Sequence, residues 1–576
     1  MDQSKSNTRW LEQFAALLLI IGIAFRFVNL GHKVYWYDEV HTSLRSSGYV
    51  LDDVIPQAYT GQLIRAEDFV TMYQYPTTEK KLGDALEMFK QHPEHSPFYY
   101  FLARFWMQTF GHSIATIRCL SALISLLCFP AIYWLCFELF QSSTVSWVAM
   151  GILAISPFHV LYAQEARAYS LWTFTILFSS AALLRALRVS QTPKLIRSKL
   201  SAWGLYTLAL TLGLYSHLFA IFVSLAHAIY ILGLKQWRRF KSFFPALGSI
   251  VLSFVFFSPW LMIILTNSQD FVDNTSSHRV TRPGTMLFWG LNLTRLSFDF
   301  NQGYSLLNPI LYVIIFITIY SIYFLIKETS IKTWFFLVSL MGTMGMALIL
   351  PDLLFGGQRS TIARYGIPSY LGLQITLAYL LTRKVSNRSL NWKQSQHWKY
   401  LFLGLGISGI LSCLVSSIHP VWWHKSYTRS RYIPAVAEIV NASPSPLVIS
   451  DSEPGRILPF SHQLKPNVYL QLVVQSNIPF IPEQNFSDIF LYRPSEVLIE
   501  GIEEIYDANL EKVYKKGWLW RVELPSENQS NYNRSNRISA ISIGFFYRWA
   551  FDRPLAGQGD EYFLSKNLSI GVDVLQ

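Results

Sequence analysis

Long apolar stretches separated by short polar connections fill the first three quarters of the chain. The stretch 10–30 is the first of them, and it is long enough to cross a hydrocarbon core, which takes about 20 residues of helix. Further stretches of this kind cover 118–140, 145–162, 169–187, 202–215, 218–234, 244–265, 309–326, 333–350, 367–381 and 400–418. They predict about eleven membrane-spanning helices. No small-x-small cleavage site follows the first stretch, so it is expected to remain as a span.

The connections between these stretches carry charge in alternation. Lys5 and Arg9 precede the first span. Arg185, Arg188, Lys194, Arg197 and Lys199 form one basic connection, and Lys235, Arg238, Arg239 and Lys241 form another. Lys327 and Lys332 form a third, and Arg383, Lys384, Arg388, Lys393 and Lys399 a fourth. Basic residues near span ends stay on the cytoplasmic side, which predicts a cytoplasmic N-terminus. An odd number of spans then puts the C-terminal region on the outer face. The uncharged connection 141–144 has no bearing on this.

Three regions are therefore expected outside: a long first loop over 32–111, a loop over 266–308, and the region 419–576. In the first loop Leu82, Ala85, Leu86 and Phe89 share one helical face. Phe98, Phe101, Leu102 and Phe105 share another, with Arg104 and Gln108 opposite. Helices of this kind lie along a membrane surface or pack against the spans. Beyond 418 the composition turns polar. A short helix is expected at 434–440 and a buried strand at 447–450. Trp518, Trp520, Val522 and Leu524 alternate with Leu519, Arg521 and Glu523 as a half-buried strand. The expected architecture is an all-α polytopic membrane module over 1–418 with a C-terminal α/β domain over 419–576.

Composition agrees with this reading. Of 576 residues 51% are hydrophobic and 15% charged, against about 25% charged in a soluble protein, and the mean hydropathy is +0.26. A purely soluble enzyme is excluded. The formal net charge of +12 sits largely in the short connections, so it does not point to nucleic acid. The four cysteines lie inside apolar stretches without CxxC spacing or histidine partners, so neither a disulfide framework nor a structural zinc site is indicated.

Four clusters carry possible chemistry. Asp38 and Glu39 follow Tyr35, Trp36 and Tyr37 just beyond the first span. A carboxylate pair among aromatics suits a general base, or else a solvated acidic turn anchored by interfacial rings. Glu94 and His95, in the segment that runs on through Tyr99 and Tyr100 and with His92 nearby, offer a metal ligand or proton shuttle, or a plain helix cap. Glu165 and Arg167 stand in the short turn between two spans, where charge is costly unless paired or used. Arg359 and Arg364 precede the span at 367, placed to grip a phosphate or to reach the interface.

The order of these clusters resembles the polytopic glycosyltransferases of the GT-C class, in the family 39 superfamily of protein O-mannosyltransferases and lipid A aminoarabinose transferases. Members of that superfamily carry an Asp-Glu pair in the first outer loop, matched by Asp38-Glu39. They carry an H-P-P-L-Y-Y-like segment, matched by His95-Ser96-Pro97-Phe98-Tyr99-Tyr100 with Ser96 in place of the first proline. A Y-x-Q-E-x-R-x-Y segment is matched at 162–169, and an R-Y-x-x-P segment by Arg364-Tyr365-Gly366-Ile367-Pro368. The resemblance covers about 10–381. It implies an inverting transfer of a sugar from a polyprenyl-phosphate donor to a glycan, lipid or protein acceptor on the outer face of the plasma or inner membrane.

The resemblance also implies roles for individual residues. Asp38 is the expected base, with Glu39 beside it. Arg364, Arg167 and Arg359 are expected at the donor phosphate, and Tyr37, His95, Tyr99, Glu165 and Tyr365 at the acceptor or substrate. Some members hold a divalent metal ion near the first loop, for which Glu94 and His95 are the candidates here. No other cofactor is implied. A transporter or lipid flippase is the competing class; against it, the charges cluster at span ends and no inverted repeat is visible. A receptor or scaffold leaves the ordered clusters unexplained. Because every matched cluster precedes it, the C-terminal region is expected to govern acceptor choice or stability.

Overall fold

Every stretch expected to cross a membrane is helical in the structure, a computed structural model described over residues 3–193, 195–234, 242–275, 284–303, 305–387, 392–475, 477–482 and 486–525. Lys194, Lys235, Arg238, Arg239, Lys241 and Arg388, like the tail 526–576, lie outside the described residues. Among the described residues seven helices are long and apolar enough to span by themselves, and the bent pair Ser143–Ala154 and Pro157–Ala163 makes an eighth. The remaining three of the expected eleven, Ile196–Ser216, Ala220–Gly233 and Ile367–Ser386, are helical but shorter or more polar. Ile367–Ser386 shows why: it lies inside the bundle and buries Gln374, Thr376 and Thr382, so its surroundings need not be lipid.

The first helix, Gln3–Phe27, crosses Ser143–Ala154 at very short range. A Cβ on Gly22 would stand 2.3 Å from the Ala154 carbonyl oxygen, so only glycine fits there. The bend of 64° that follows comes at Ser156-Pro157, where proline cannot continue the hydrogen-bond ladder. The carbonyls freed by the bend are taken up by neighbours. Arg26, buried to 1% exposure, donates to Ala154 O and Gly22 O, both at 2.7 Å, and Cys413 Sγ donates to Ile155 O at 3.6 Å. Gln164 donates to Phe25 O and Val28 O, which fixes the turn 164–168 against the end of the first helix. All four cysteines are unbridged, and three are buried.

In the first loop the two amphipathic helices form, and each buries only part of the expected face. Leu82–Gln91 buries Ala85, Met88 and Phe89 and leaves Leu82 and Leu86 exposed. Phe98–Phe110 buries Tyr99, Tyr100, Ala103, Arg104 and Met107, while Phe105 and Phe110 are 53% and 60% exposed. Arg104 turns inward because two backbone carbonyls await it, Ser46 O at 2.9 Å and Lys80 O. Of the expected stripe Phe98, Phe101 and Leu102 are half-buried against the core and Phe105 is exposed.

The chain divides into two compact units. The first comprises Met1–Ala58, Ile64–Ile439 and Glu453–Pro466, and the second Tyr59–Leu63, Val440–Ser452 and Asn467–Gln576. The expected boundary at 418 therefore falls too early. Residues 419–439 stay with the helices because Trp422 and Trp423 donate their indole N–H groups to Asp299 Oδ2 at 2.9 and 2.6 Å.

The second unit is built on β2 (Pro446–Ser450), β3 (Tyr469–Val473), β4 (Asp488–Tyr492), β5 (Asn509–Tyr514) and β6 (Leu519–Glu523), and β1 (Thr60–Arg65) extends the sheet in the order β1-β3-β2-β4-β6-β5. β2 runs parallel to β3 and β4, and β6 antiparallel to β4 and β5. Its core gathers Leu447, Ile449, Leu491, Leu498, Ile502 and Val522. The expected alternation in β6 holds for Val522 but not for Leu519, which is fully buried opposite Tyr492 because both faces are covered there. Leu524 lies past the strand and is 39% exposed.

Candidate active site

Trp36 is extended (φ −91°, ψ 175°) and the helix Tyr37–Ser47 begins directly after it. Asp38 and Glu39 therefore occupy a first helical turn, where the backbone dipole favours carboxylates. Neighbours on a helix point about 100° apart, and here that angle sends the two carboxylates into different surroundings.

Glu39 turns inward and its side chain is fully buried. Arg118 grips it with a two-pronged fork, Nε to Oε1 and Nη2 to Oε2, both 2.7 Å. Lys425 Nζ donates to Oε2 at 2.7 Å and Ala166 N to Oε1 at 2.9 Å. The other N–H groups of Arg118 reach Leu30 O, Lys33 O and Val34 O at 2.7–2.9 Å, which ties down the chain leaving the first helix. Burial by itself would raise the Glu39 carboxyl, but Arg118 and Lys425 outweigh it and bring it down to about 2. Glu165, also fully buried, accepts the Trp36 indole N–H at 2.6 Å and stands 3.6 Å from Lys425. Burial, together with Glu39 nearby and against the pull of Lys425, pushes Glu165 up to about 7.

Asp38 points the other way and remains 19% exposed at its side chain, as does Arg364, whose Nη2 lies 3.2 Å from Asp38 Oδ2. The Arg364 guanidinium sits 5.6–5.8 Å from the rings of Trp36, Tyr169 and Tyr365, a setting in which a cation is held by ring faces. Arg167 Nη1 donates to Asp38 O and Thr42 Oγ1, both at 3.2 Å, and to Tyr100 OH at 3.4 Å. The sequence clusters at 38, 167 and 364 are thus one site.

The other expected residues divide by access. Tyr37 is half-buried against His41, ring centroids 4.5 Å apart, and Tyr365 packs on Phe219 at 4.9 Å. His95 is 26% exposed and 3.3 Å from Glu94. Tyr99 and Glu165 offer no surface to a ligand: both are fully buried, and Tyr99 OH is paired with Ser121 Oγ at 2.6 Å. Arg359 is half-buried on the turn Arg359–Thr361, which Asp352 fixes by accepting from Ser360 N and Oγ at 2.7 and 2.6 Å.

Among the described residues no group of three His, Cys, Asp or Glu side chains could hold a metal ion, Glu94 and His95 included. The Glu94 carboxylate is engaged by His92, His95 and the Asn274 amide instead.

The sequence of residues 92–263 matches the family described as dolichyl-phosphate-mannose-protein mannosyltransferase. The fold is similar to that of ArnT from Cupriavidus metallidurans bound to undecaprenyl phosphate, with 12% identity, a TM-score of 0.52, and coverage of 90% of this chain and 99% of that one. ArnT in the apo state matches at 12% identity with a TM-score of 0.50, covering 90% and 98%. The oligosaccharyltransferase of Archaeoglobus fulgidus, tethered to an acceptor peptide, matches at 12% identity with a TM-score of 0.43, covering 81% of this chain and 64% of that one. Among curated proteins no match is found. The family match is confined to residues 92–263, and at 12% identity the likeness to ArnT is one of fold.

Proposed function

We propose that the chain moves a hexose or pentose from a polyprenyl-phosphate donor to an acceptor hydroxyl on the outer face of the membrane, with inversion. Asp38 takes the hydroxyl proton as the oxygen attacks the anomeric carbon, and the lipid phosphate leaves. Arg364 receives the phosphate charge as the sugar–phosphate bond breaks. Arg167 braces the first turn of the Asp38 helix from below. Tyr37, His95 and Tyr365 line the acceptor side.

One observation carries this reading: of the three carboxylates at the site, Asp38 alone is reachable, and it stands against a guanidinium with ring faces around it. A single accessible carboxylate suits one direct displacement rather than a two-step transfer through a covalent intermediate, which needs a second group in reach. Glu39 is a positioning residue, since its fork to Arg118 fixes the turn that presents Asp38.

The basic connections support a cytoplasmic N-terminus. Asp38 stands just past the far end of the first helix, together with the turns at 164–168 and 359–366, so the site faces outward. Reporter fusions active only outside the cytoplasm should work at Asn441 and fail at Lys194. Which sugar is carried is tested by lipid-linked sugar analysis of a deletion strain. Accumulation of one polyprenyl-phosphate sugar identifies the donor, and an unchanged lipid profile contradicts the reading.

A further inference from the structure

Beyond Asp38 the same helix presents a second set of groups. Tyr37, His41 and Arg45 recur at four-residue intervals, which puts them on one face. Arg45 is 6% exposed. Among the described residues its side chain makes no ion pair, and its Nε has no hydrogen-bond partner. A guanidinium this deeply buried is costly unless something answers it.

Among the described residues no carboxylate comes within ion-pair distance of Arg45, and its neighbours add further positive charge. His41 and His95 feel Arg45 and Arg167 as cations, and both are held well below the ordinary histidine range, by burial first and by these charges next. Arg429 adds a further positive charge from over the Tyr37 ring, 4.9 Å from its centroid. Two carboxylates face this set: Glu94, which His92 and Arg45 hold below the usual carboxylate range against the effect of burial but whose oxygens are bonded by His92, His95 and Asn274, and Glu453 beside Tyr37, which pairs with Arg456. His41 and His95 are half-buried and Arg429 is exposed, so the cluster is open on one side.

We infer that Arg45, with His41 and His95 beside it and Arg429 at the rim, forms a binding site for an oxyanion, distinct from the guanidinium of Arg364. Asp38 and Arg45 are seven residues apart on one helix, a rise of about 10 Å, or roughly the length of one or two sugar residues. If Asp38 is the acceptor-side base, as proposed above, an acceptor that seats its hydroxyl there brings a phosphate or carboxylate group on a neighbouring unit to Arg45. The alternative source of the same chemistry is the head group of an anionic lipid.

The test uses the full chain in phosphatidylcholine nanodiscs, titrated with radiolabelled inorganic phosphate. Arg45→Gln is expected to weaken phosphate binding at least tenfold, Arg45→Lys to restore part of it, and Arg364→Lys to leave this component unchanged. Unchanged phosphate affinity in folded Arg45→Gln overturns the site, and so does a loss that appears only in Arg364→Lys. Should Arg45→Gln fail to fold, the Arg45→Lys and Arg429→Gln titrations decide it, because a site made by these cations cannot keep wild-type affinity in both. Repeating the titration in phosphatidylglycerol nanodiscs separates the sources: competition assigns the site to a lipid head group, and its absence to the acceptor. Sugar transfer by Asp38→Asn is measured alongside. Collapse of transfer without any phosphate binding sinks this site and spares the base, whereas phosphate binding with normal transfer does the reverse.

Discussion

Asp38 and Glu39 are adjacent, chemically alike and in the same helical turn, yet the fold treats them oppositely. Glu39 is sealed between Arg118 and Lys425 with every oxygen engaged, while Asp38 keeps an open side and one ion-pair partner. The inward carboxylate gathers segments from the first loop, from two helix starts and from beyond the last span. The outward one stays partly open to solvent. The pair teaches that a costly buried ion cluster here builds the frame on which an accessible carboxylate is held still.

The largest effect should come from opening the inward side. Glu39→Gln leaves two buried cations facing a neutral amide, and breaking a buried pair in this way costs about 3–5 kcal/mol. The purified variant should unfold at a much lower temperature, and an unchanged midpoint would show that the cluster does not frame the site. Cutting the chain after Ile418 removes Lys425 as well. That truncation should likewise fail to yield stably inserted protein, although the sequence alone puts a domain boundary there.

The pH response has two signs. Glu39 is held down at about 2, so its contribution is fully present above about 4.5 and is lost as pH falls towards 2. Glu165 is pushed up to about 7, so its ionisation costs stability as pH rises from about 4.5 through 7. Unfolding midpoints of wild type and Glu165→Gln between pH 4 and 8 should diverge on the alkaline side, with the variant flatter. Parallel curves would remove Glu165 from the coupled cluster.

A smaller effect is expected on the outward side. Arg364→Lys keeps the charge but loses the planar fork and the ring contacts. Donor binding should weaken by about tenfold to a hundredfold, roughly 1.5–3 kcal/mol, with folding unchanged. Equal donor affinity would reassign this arginine to anchoring at the interface. Smallest of all, Tyr99→Phe removes one buried hydrogen bond to Ser121, worth about 1 kcal/mol. It should lower stability slightly without altering the apparent KM for acceptor, because Tyr99 has no exposed surface.

How much of this was legible in the sequence follows from distance along the chain. Hydropathy located the helices because each span is a local pattern, and the ordered clusters brought Asp38, Arg167 and Arg364 together before any coordinates. Arg118 and Lys425 were not legible: they lie 79 and 386 residues from the carboxylate they neutralise, and nothing local marks them as its partners. Nor is the burial of Arg104 legible, because periodicity counts apolar residues and cannot see that the Ser46 and Lys80 carbonyls wait for it. The resemblance implied ligand contacts for Tyr99 and Glu165. Packing turned both inward.

The central claim is that Asp38, and not its neighbour, removes the acceptor proton, and sugar transfer by Asp38→Asn measured together with donor binding tests it most directly. Proton removal by a positioned carboxylate is worth about 10²–10⁴-fold in rate, and asparagine keeps the shape while removing the basic oxygen. The account predicts turnover reduced by about that factor, with donor affinity and unfolding midpoint near those of wild type. Near-normal transfer by Asp38→Asn would contradict it.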